Sequence, residues 1–291
     1  MRYIFIGASA ACVSAAHTLA KHDPQAELLI LTQQREYPNN TCSIKHVLAG
    51  VWPKEQTFLK LPAHAQLYLQ QRVVEIDPDQ KMVVTHNGQV FGYDTIIIGI
   101  GTRPRVPELF KTYLHKGVFT YHTLDDVEDI TKYSASTNIT SVAIIGGGLS
   151  GVEAAFACRQ RGLEVTLFEK EPKILSLESE DIQKNLEDTL NGAAIKMICS
   201  SKVITCTRDT NEFVLTLDTR VVRVDMVLLA LGSSPDSQFL NSVTEMTFDG
   251  YILRVRPEYE LHCKVVGDCT AQPRVHNGWS RALMAGKKIL T

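Results

Sequence analysis

Val142-Ala-Ile-Ile-Gly146-Gly-Gly148-Leu149-Ser150-Gly151-Val-Glu153, followed by Val165-Thr-Leu-Phe-Glu169, is the stretch from which the fold is read. A short apolar run forms a buried strand, the glycines form a turn, a small-residue helix follows, and Val165–Phe168 makes the next strand. In Gly146-x-Gly148-x-x-Gly151 the glycines permit a tight turn, close approach of backbone to a pyrophosphate, and close packing of helix on strand. The helix beginning at Leu149 and Ser150 adds N–H groups and partial positive charge. Glu169 ends the second strand, where a carboxylate accepts both ribose hydroxyls of an adenosine and repels a 2′-phosphate. NADH is therefore expected over NADPH, with Lys170 beside it as an opposing cation. A turn that only packs a helix tightly is the alternative.

The same order occurs earlier: Tyr3-Ile4-Phe5-Ile6, then Gly7-Ala8-Ser9-Ala10-Ala11-Cys12, a helix to Ala20, and the strand Leu28–Leu31. Here Ser9 and Cys12 take the places of the second and third glycines, and Thr32 that of the acid. This copy holds a nucleotide or keeps the shape without one. A second element is also repeated: Asp94-Thr-Ile-Ile-Ile-Gly-Ile-Gly101-Thr-Arg103-Pro104 aligns without a gap to Asp225-Met-Val-Leu-Leu-Ala-Leu-Gly232-Ser-Ser-Pro235. Two independent motifs in the same order predict two Rossmann-like α/β domains, in keeping with 291 residues. The tail adds another strand pair (Tyr251–Val255, Lys264–Val266), then Gly267-Asp268 and a closing helix from about Gly278 to Leu290. It is too short for a domain and is expected to complete the first. The expected domains are 1–109 plus 241–291, with 110–240 inserted, and Pro104–Pro107 and Ser134–Thr140 punctuate the first crossing.

Thirty basic against 32 acidic residues give a net charge of −2, so no bulk positive field draws nucleic acid or anionic lipid. The apolar opening, Met1 to Ala20, carries its small residues where a signal peptide is greasiest, and no other run is long enough for a bilayer, so no membrane partner is expected. Seven scattered cysteines without CxxC or ligand spacing point to a reducing cytoplasm and to no metal. His17, His64, His122, His262 and His276 form no constellation.

These residues together resemble the two-dinucleotide-domain flavoprotein disulfide reductases, over essentially the whole chain. The resemblance implies FAD on the first domain, at Gly7, Ser9, Ala10, Ala11, Thr32, Thr41, Gly101, Arg103, Gly267 and Asp268. It implies NADH on the second, at Gly146, Gly148, Leu149, Ser150, Gly151, Glu169 and Gly232. Asn40-x-Cys42 with Val47-Leu48-Ala49-Gly50 is similar to the branch of nitrite-reductase flavin domains, rubredoxin reductases and ferredoxin reductases. Trp279-x-x-Ala282-x-x-x-Gly286 resembles the ferredoxin-reductase closing helix, whose tryptophan lies beside the flavin; core packing is its other reading. Thr41 replaces the basic residue that some of these relatives place beside the flavin.

Cys42 stands eight residues before Gly50, as in the single-cysteine coenzyme A-disulfide reductases and NADH oxidases. A helix capped by Asn40 or Thr41, with Lys45 and His46 on one face, favours a thiolate there. Ser43, Lys45 and His46 depart from that branch's pattern, so a redox thiol and an inert side chain both stay open. Val47 occupies the place of a second cysteine and Cys158 stands alone, which excludes the dithiol and thioredoxin-reductase routes. Glu153 matches the acidic residue that approaches the nicotinamide, or is an ordinary helix carboxylate. The chain stops at Thr291 without the C-terminal interface domain of these relatives, and its oligomeric state is open. The expected activity is an NADH-dependent FAD oxidoreductase, passing electrons to a small redox protein or a low-molecular-weight disulfide or peroxide. Its rival is a nucleotide-binding sensor or assembly subunit with a degenerate FAD site.

Overall fold

The computed structural model describes residues 1–176, 179–218 and 220–271, and shows an α/β fold built on parallel sheets. Among the described residues two compact units arise: 1–42, 57–103 and 234–271 form one, and 43–56 with those of 104–233 the other. The segment 43–56, which chain order placed inside the first expected domain, thus groups with the second unit. The outer crossings fall after Arg103 and Ser233, some residues earlier than the sequence reading placed them.

The first unit carries five parallel strands in the order Cys263–Val265, Thr95–Ile98, Arg2–Ile6, Glu27–Leu31, Gln66–Tyr68. Its inner strands are apolar on both faces because both faces are covered. Phe5, Leu28, Ile30 and Ile97 pack with Ala11, Cys12, Ala15, Ala16 and Leu19 of the helix Ala10–His22. Ile4, Ile6, Leu29, Leu31, Ile96 and Ile98 pack on the other side with Val73, Ile76 and Val83 of a small antiparallel sheet. At roughly 1.5–3 kcal/mol for each side chain so buried, packing on two faces rather than strand propensity holds these short strands.

The second unit repeats the plan: Lys196–Ile198, Glu164–Phe168, Ser141–Ile145, Met226–Leu229, Val118–Thr120, all parallel. Its outermost strand, Val118–Thr120, precedes the repeat in the chain, whereas that of the first unit follows it. The antiparallel sheets occupy equivalent places too, Val73–Asp77, Met82–Thr85 and Val90–Gly92 in one unit, Val203–Asp209, Glu212–Leu217 and Val221–Val224 in the other. The sequence reading did not anticipate these sheets.

The repeated aspartate has a structural reason. Asp94 accepts the Arg2 N–H at 2.7 Å, and Asp225 accepts the Thr140 and Ser141 N–H groups at 2.8 and 2.9 Å and both their hydroxyls at 3.0 Å. Each aspartate fastens the start of its unit's central strand. Burial pushes the Asp225 carboxyl up, but these hydrogen bonds prevail and hold it below the usual range.

Two expectations change. Ser134–Thr137 is helix, not punctuation: Thr123 and Asp126 cap Leu124–Thr137 reciprocally, Leu124, Val127 and Ile130 anchor it, and Asn138 ends it at φ +47°. The tail strands do not pair with each other: Ile252–Val255 pairs antiparallel with Thr244–Met246, and Cys263–Val265 joins the parallel sheet. Trp279 and the closing helix lie outside the described residues.

Candidate functional site

In the second unit, Gly146 adopts φ +113° and donates its N–H to the Phe168 carbonyl at 2.8 Å. A Cβ on Gly146 would fall on the Ala230 carbonyl, and one on Gly151 on the Gly146 carbonyl, so both positions require glycine. Gly148 caps the helix Leu149–Gln160 in an extended conformation without a side-chain bond, and a Cβ there would meet open space. The first intrahelical bond runs from Val152 to Gly148, leaving the N–H groups of Leu149, Ser150 and Gly151 without an acceptor in the helix. No acidic side chain stands in that first turn. Glu169, next to the end of the second strand, accepts the Gly147 N–H at 2.6 Å and the Glu171 N–H at 2.9 Å, which turns its carboxylate onto the glycine turn. Lys170 lies 3.4 Å from Glu171 and is well exposed. Gly232, at φ +76°, faces open space beyond the strand Met226–Leu229.

The first unit reaches the same backbone shape with different residues. Gly7 has φ +104°, donates to the Leu31 carbonyl at 2.8 Å, and would place a Cβ on the Gly99 carbonyl. Ser9 caps the helix, its hydroxyl accepting the Cys12 N–H at 3.3 Å. Cys12 fits where the motif wants glycine because the facing residue, just past the strand Thr95–Ile98, is Gly99, whose absent Cβ would fall on the Cys12 sulfur. In the second unit the pair is exchanged: Gly151 faces Ala230, at 3.4 Å from the position of its missing Cβ. The side chain has moved from one wall of the contact to the other, so the turn is substituted rather than degraded.

Gly267 lies 3.2 Å, from the place its Cβ would take, to Ala11, which brings the Gly267-Asp268 turn to the first turn of the helix beginning at Ala10. Gly101, at φ +64°, faces open space. Arg103 donates to Gln33 at 2.9 Å and pairs with Asp236 at 2.7 Å. Thr32, buried, stands in register with Glu169, since Leu31 and Phe168 close equivalent ladders. Beside it are Gln34 and Gln71, each with a side-chain oxygen that is buried and accepts no hydrogen bond. No motif in the sequence marked either glutamine.

Cys42 is exposed in the short turn Thr41–Ser43, with its N–H on the Asn40 side chain at 3.1 Å. Asn40 therefore caps this turn, and the helix Ile44–Leu48 starts only beyond Ser43, so Cys42 is not in a helix's first turn. The two expected cations have partners of their own: Lys45 pairs with Glu153 at 2.5 Å, and His46 stacks on Trp52 with ring centroids 4.2 Å apart. The sequence argument for a depressed thiol at Cys42 loses these supports. Burial pushes the Cys12, Cys158, Cys263 and Cys269 thiols up to about 12 and that of Cys206 to about 11. Cys42 is the exposed thiol among the described residues. Among those residues no group of three or more His, Cys, Asp or Glu converges as a metal set, and no helix is long and apolar enough to cross a membrane.

Residues 1–287 match the family model of pyridine nucleotide-disulphide oxidoreductases. The chain belongs to that family. Among relatives of this pyridine nucleotide-disulphide oxidoreductase, an NADH oxidase of Methanocaldococcus jannaschii is 26% identical over 248 residues, covering 81% of this chain and 55% of the relative. The rhodocoxin reductase of Rhodococcus erythropolis is 24% identical over 286 residues, 94% of this chain and 66% of the relative. The solved NAD-dependent persulfide reductase of A. fulgidus has the same fold, with a TM-score of 0.88, 19% identity, and coverage of 99% of this chain and 58% of that one. The chain spans little more than half the length of the NADH oxidase it matches.

Proposed function

We propose that this chain is an NADH-dependent FAD oxidoreductase, with FAD held by the first unit and NADH by the second. The observation that carries the reading is the pair of equivalent strand–turn–helix edges, each with glycine positions open to solvent space at the C-terminal ends of its strands, where open α/β sheets bind ligands. In the first unit Gly7, Ser9, Ala10 and Ala11 would take the pyrophosphate, with Thr32, Thr41, Gly101, Arg103, Gly267 and Asp268 around the rest of the cofactor. In the second, the first-turn N–H groups at Leu149, Ser150 and Gly151 would take the NADH pyrophosphate, with Gly146 shaping the turn and Gly148 and Gly232 leaving room for it. Glu169 would accept the ribose hydroxyls and repel a 2′-phosphate. Lys45 neutralises Glu153, the carboxylate assigned to the nicotinamide side.

Bound FAD supplies a centre that accepts hydride from NADH and passes the electrons on. Cys42, as the exposed thiol, is the residue for a low-molecular-weight disulfide or peroxide acceptor, and a small redox protein is the other acceptor class. The activities for which the relatives are named, NADH oxidase, rhodocoxin reductase and persulfide reductase, span both. The exchange of Cys12 against Gly99 preserves the first turn and favours a loaded site over a sensor subunit. A visible spectrum of the purified chain, repeated anaerobically with NADH, tests the proposal. A flavin spectrum that bleaches is expected; a protein that stays colourless after reconstitution with FAD would refute it.

A further inference from the structure

Residues 41–56 form a loop whose ends are held together at a neck. Asn39 and Phe58 make an antiparallel bridge, Asn40 donates its N–H to the Thr57 carbonyl at 2.8 Å, and Leu59 donates to the Pro38 carbonyl at 2.8 Å. These neck residues belong to the first unit, whereas 43–56 belong to the second. The body of the loop is fixed by packing: Ile44 and Leu48 are buried, and their short helix lies on the helices Leu149–Gln160 and Leu124–Thr137. Polar contacts add to this along its length, Lys45 on Glu153 at 2.5 Å, the Arg161 guanidinium on the Val47 carbonyl at 3.4 Å, and Lys54 on Glu128 at 2.6 Å. The exposed Cys42 stands in the turn Thr41–Ser43, which joins the neck to the body.

We propose that this loop couples nucleotide binding in the second unit to the reactivity of the Cys42 thiol, with Lys45 as the link. This rests on the reading that the second unit takes the NADH pyrophosphate at Leu149, Ser150 and Gly151. Leu149 and Glu153 are four residues apart on one helix, so they share a face one turn apart. Glu153 thereby holds the Lys45 ammonium within a turn of the anion site. Both side chains are partly buried, where charges are screened less than on an open surface. A ligand shifts an equilibrium only through its different interaction with the two states. Here the difference is Coulombic: the pyrophosphate attracts Lys45 while the loop is seated and loses that attraction when the loop loosens. Binding steadies the loop three residues from Cys42 and commits the Lys45 charge to the anion rather than to a thiolate. Both consequences slow the reaction of the thiol. By reciprocity, Lys45 strengthens nucleotide binding by the same factor.

The test uses the full chain, reduced and desalted, with alkylation of Cys42 by iodoacetamide at pH 8 followed by mass spectrometry. ADP-ribose is the probe, because it carries the pyrophosphate, lacks the nicotinamide that would cover a nearby thiol, and transfers no hydride. Saturating ADP-ribose is expected to slow alkylation of wild type about fivefold or more, and to leave the rate of Lys45→Met unchanged. Lys45→Arg, which keeps the charge, is expected to restore the slowing. Lys54→Met loosens the same loop at its other end; it is expected to alkylate faster than wild type and still to be slowed by ADP-ribose. Calorimetry should show Lys45→Met binding ADP-ribose more weakly by about the factor lost from the rate. A rate that ADP-ribose does not change in wild type, or changes equally in wild type and Lys45→Met, overturns the coupling alone. Wild-type chain that binds no ADP-ribose overturns the parent reading and this proposal with it.

Discussion

Single side chains divide here into those whose role follows from type and spacing and those whose role follows from neighbours. Glu169 belongs to the first kind: a carboxylate just past the second strand was legible from the motif. Glu169→Ala should raise the KM for NADH about tenfold or more, since hydrogen bonds to a charged group contribute roughly 1.5–3 kcal/mol. The same change should leave NADPH unaffected or improved, and dye-reduction kinetics with both nucleotides check it. Cys42 belongs to the second kind. Its spacing suggested a thiol activated by Lys45 and His46, but Lys45 pairs with Glu153 and His46 with Trp52. Its exposure against the burial of Cys12, Cys158, Cys206, Cys263 and Cys269 still makes it distinct. Titration of the native protein with a chromogenic disulfide at pH 8 should show a single fast thiol, absent in Cys42→Ser. That variant should lose disulfide turnover and retain dye reduction; unchanged turnover on every acceptor would remove the thiol route.

Between elements, the governing contact is where each glycine-turn helix crosses its sheet. The motif departs from glycine at Cys12, and sequence alone left open whether that copy was empty. The facing residue accounts for the departure from glycine: Cys12 opposes Gly99 as Gly151 opposes Ala230. Gly99→Ala should therefore destabilise the fold by about 1–3 kcal/mol, the cost of overpacking a well-filled core. Adding Cys12→Gly recreates the second unit's pairing, and the double variant should be more stable than the summed single effects allow, read from urea midpoints of all four proteins. Simple additivity would show that the contact is not a shared volume. Helix Leu124–Thr137 teaches a related lesson. Its last turn is polar and reads as a linker, yet the Thr123–Asp126 cap and three buried side chains at its start carry it through to Thr137.

At the scale of the whole chain, stability should carry an acid limit set in part by the strand clamps. The Asp225 carboxyl is held below its unfolded value of about 3.9, so its contribution is complete above that value and is lost as pH falls through the lower folded value. Asp225→Asn should lower the melting temperature at pH 7 and approach wild type as the pH falls through the lowered folded value; a gap that persists unchanged in acid would assign the effect to packing. The duplication of the fold was legible in the chain because its markers are local. A glycine turn, the strand before it and the strand after it lie within about thirty residues, and their backbone demands leave few alternatives to the side chains. The grouping of 43–56 with the second unit was not legible. It depends on the helix Ile44–Leu48 packing against Leu149–Gln160 and Leu124–Thr137, with Lys45 meeting Glu153 and Lys54 meeting Glu128, contacts far apart in sequence that carry no periodicity. Local backbone geometry is written in consecutive residues, and which side chains share a site is settled by the packing of strands distant in the chain.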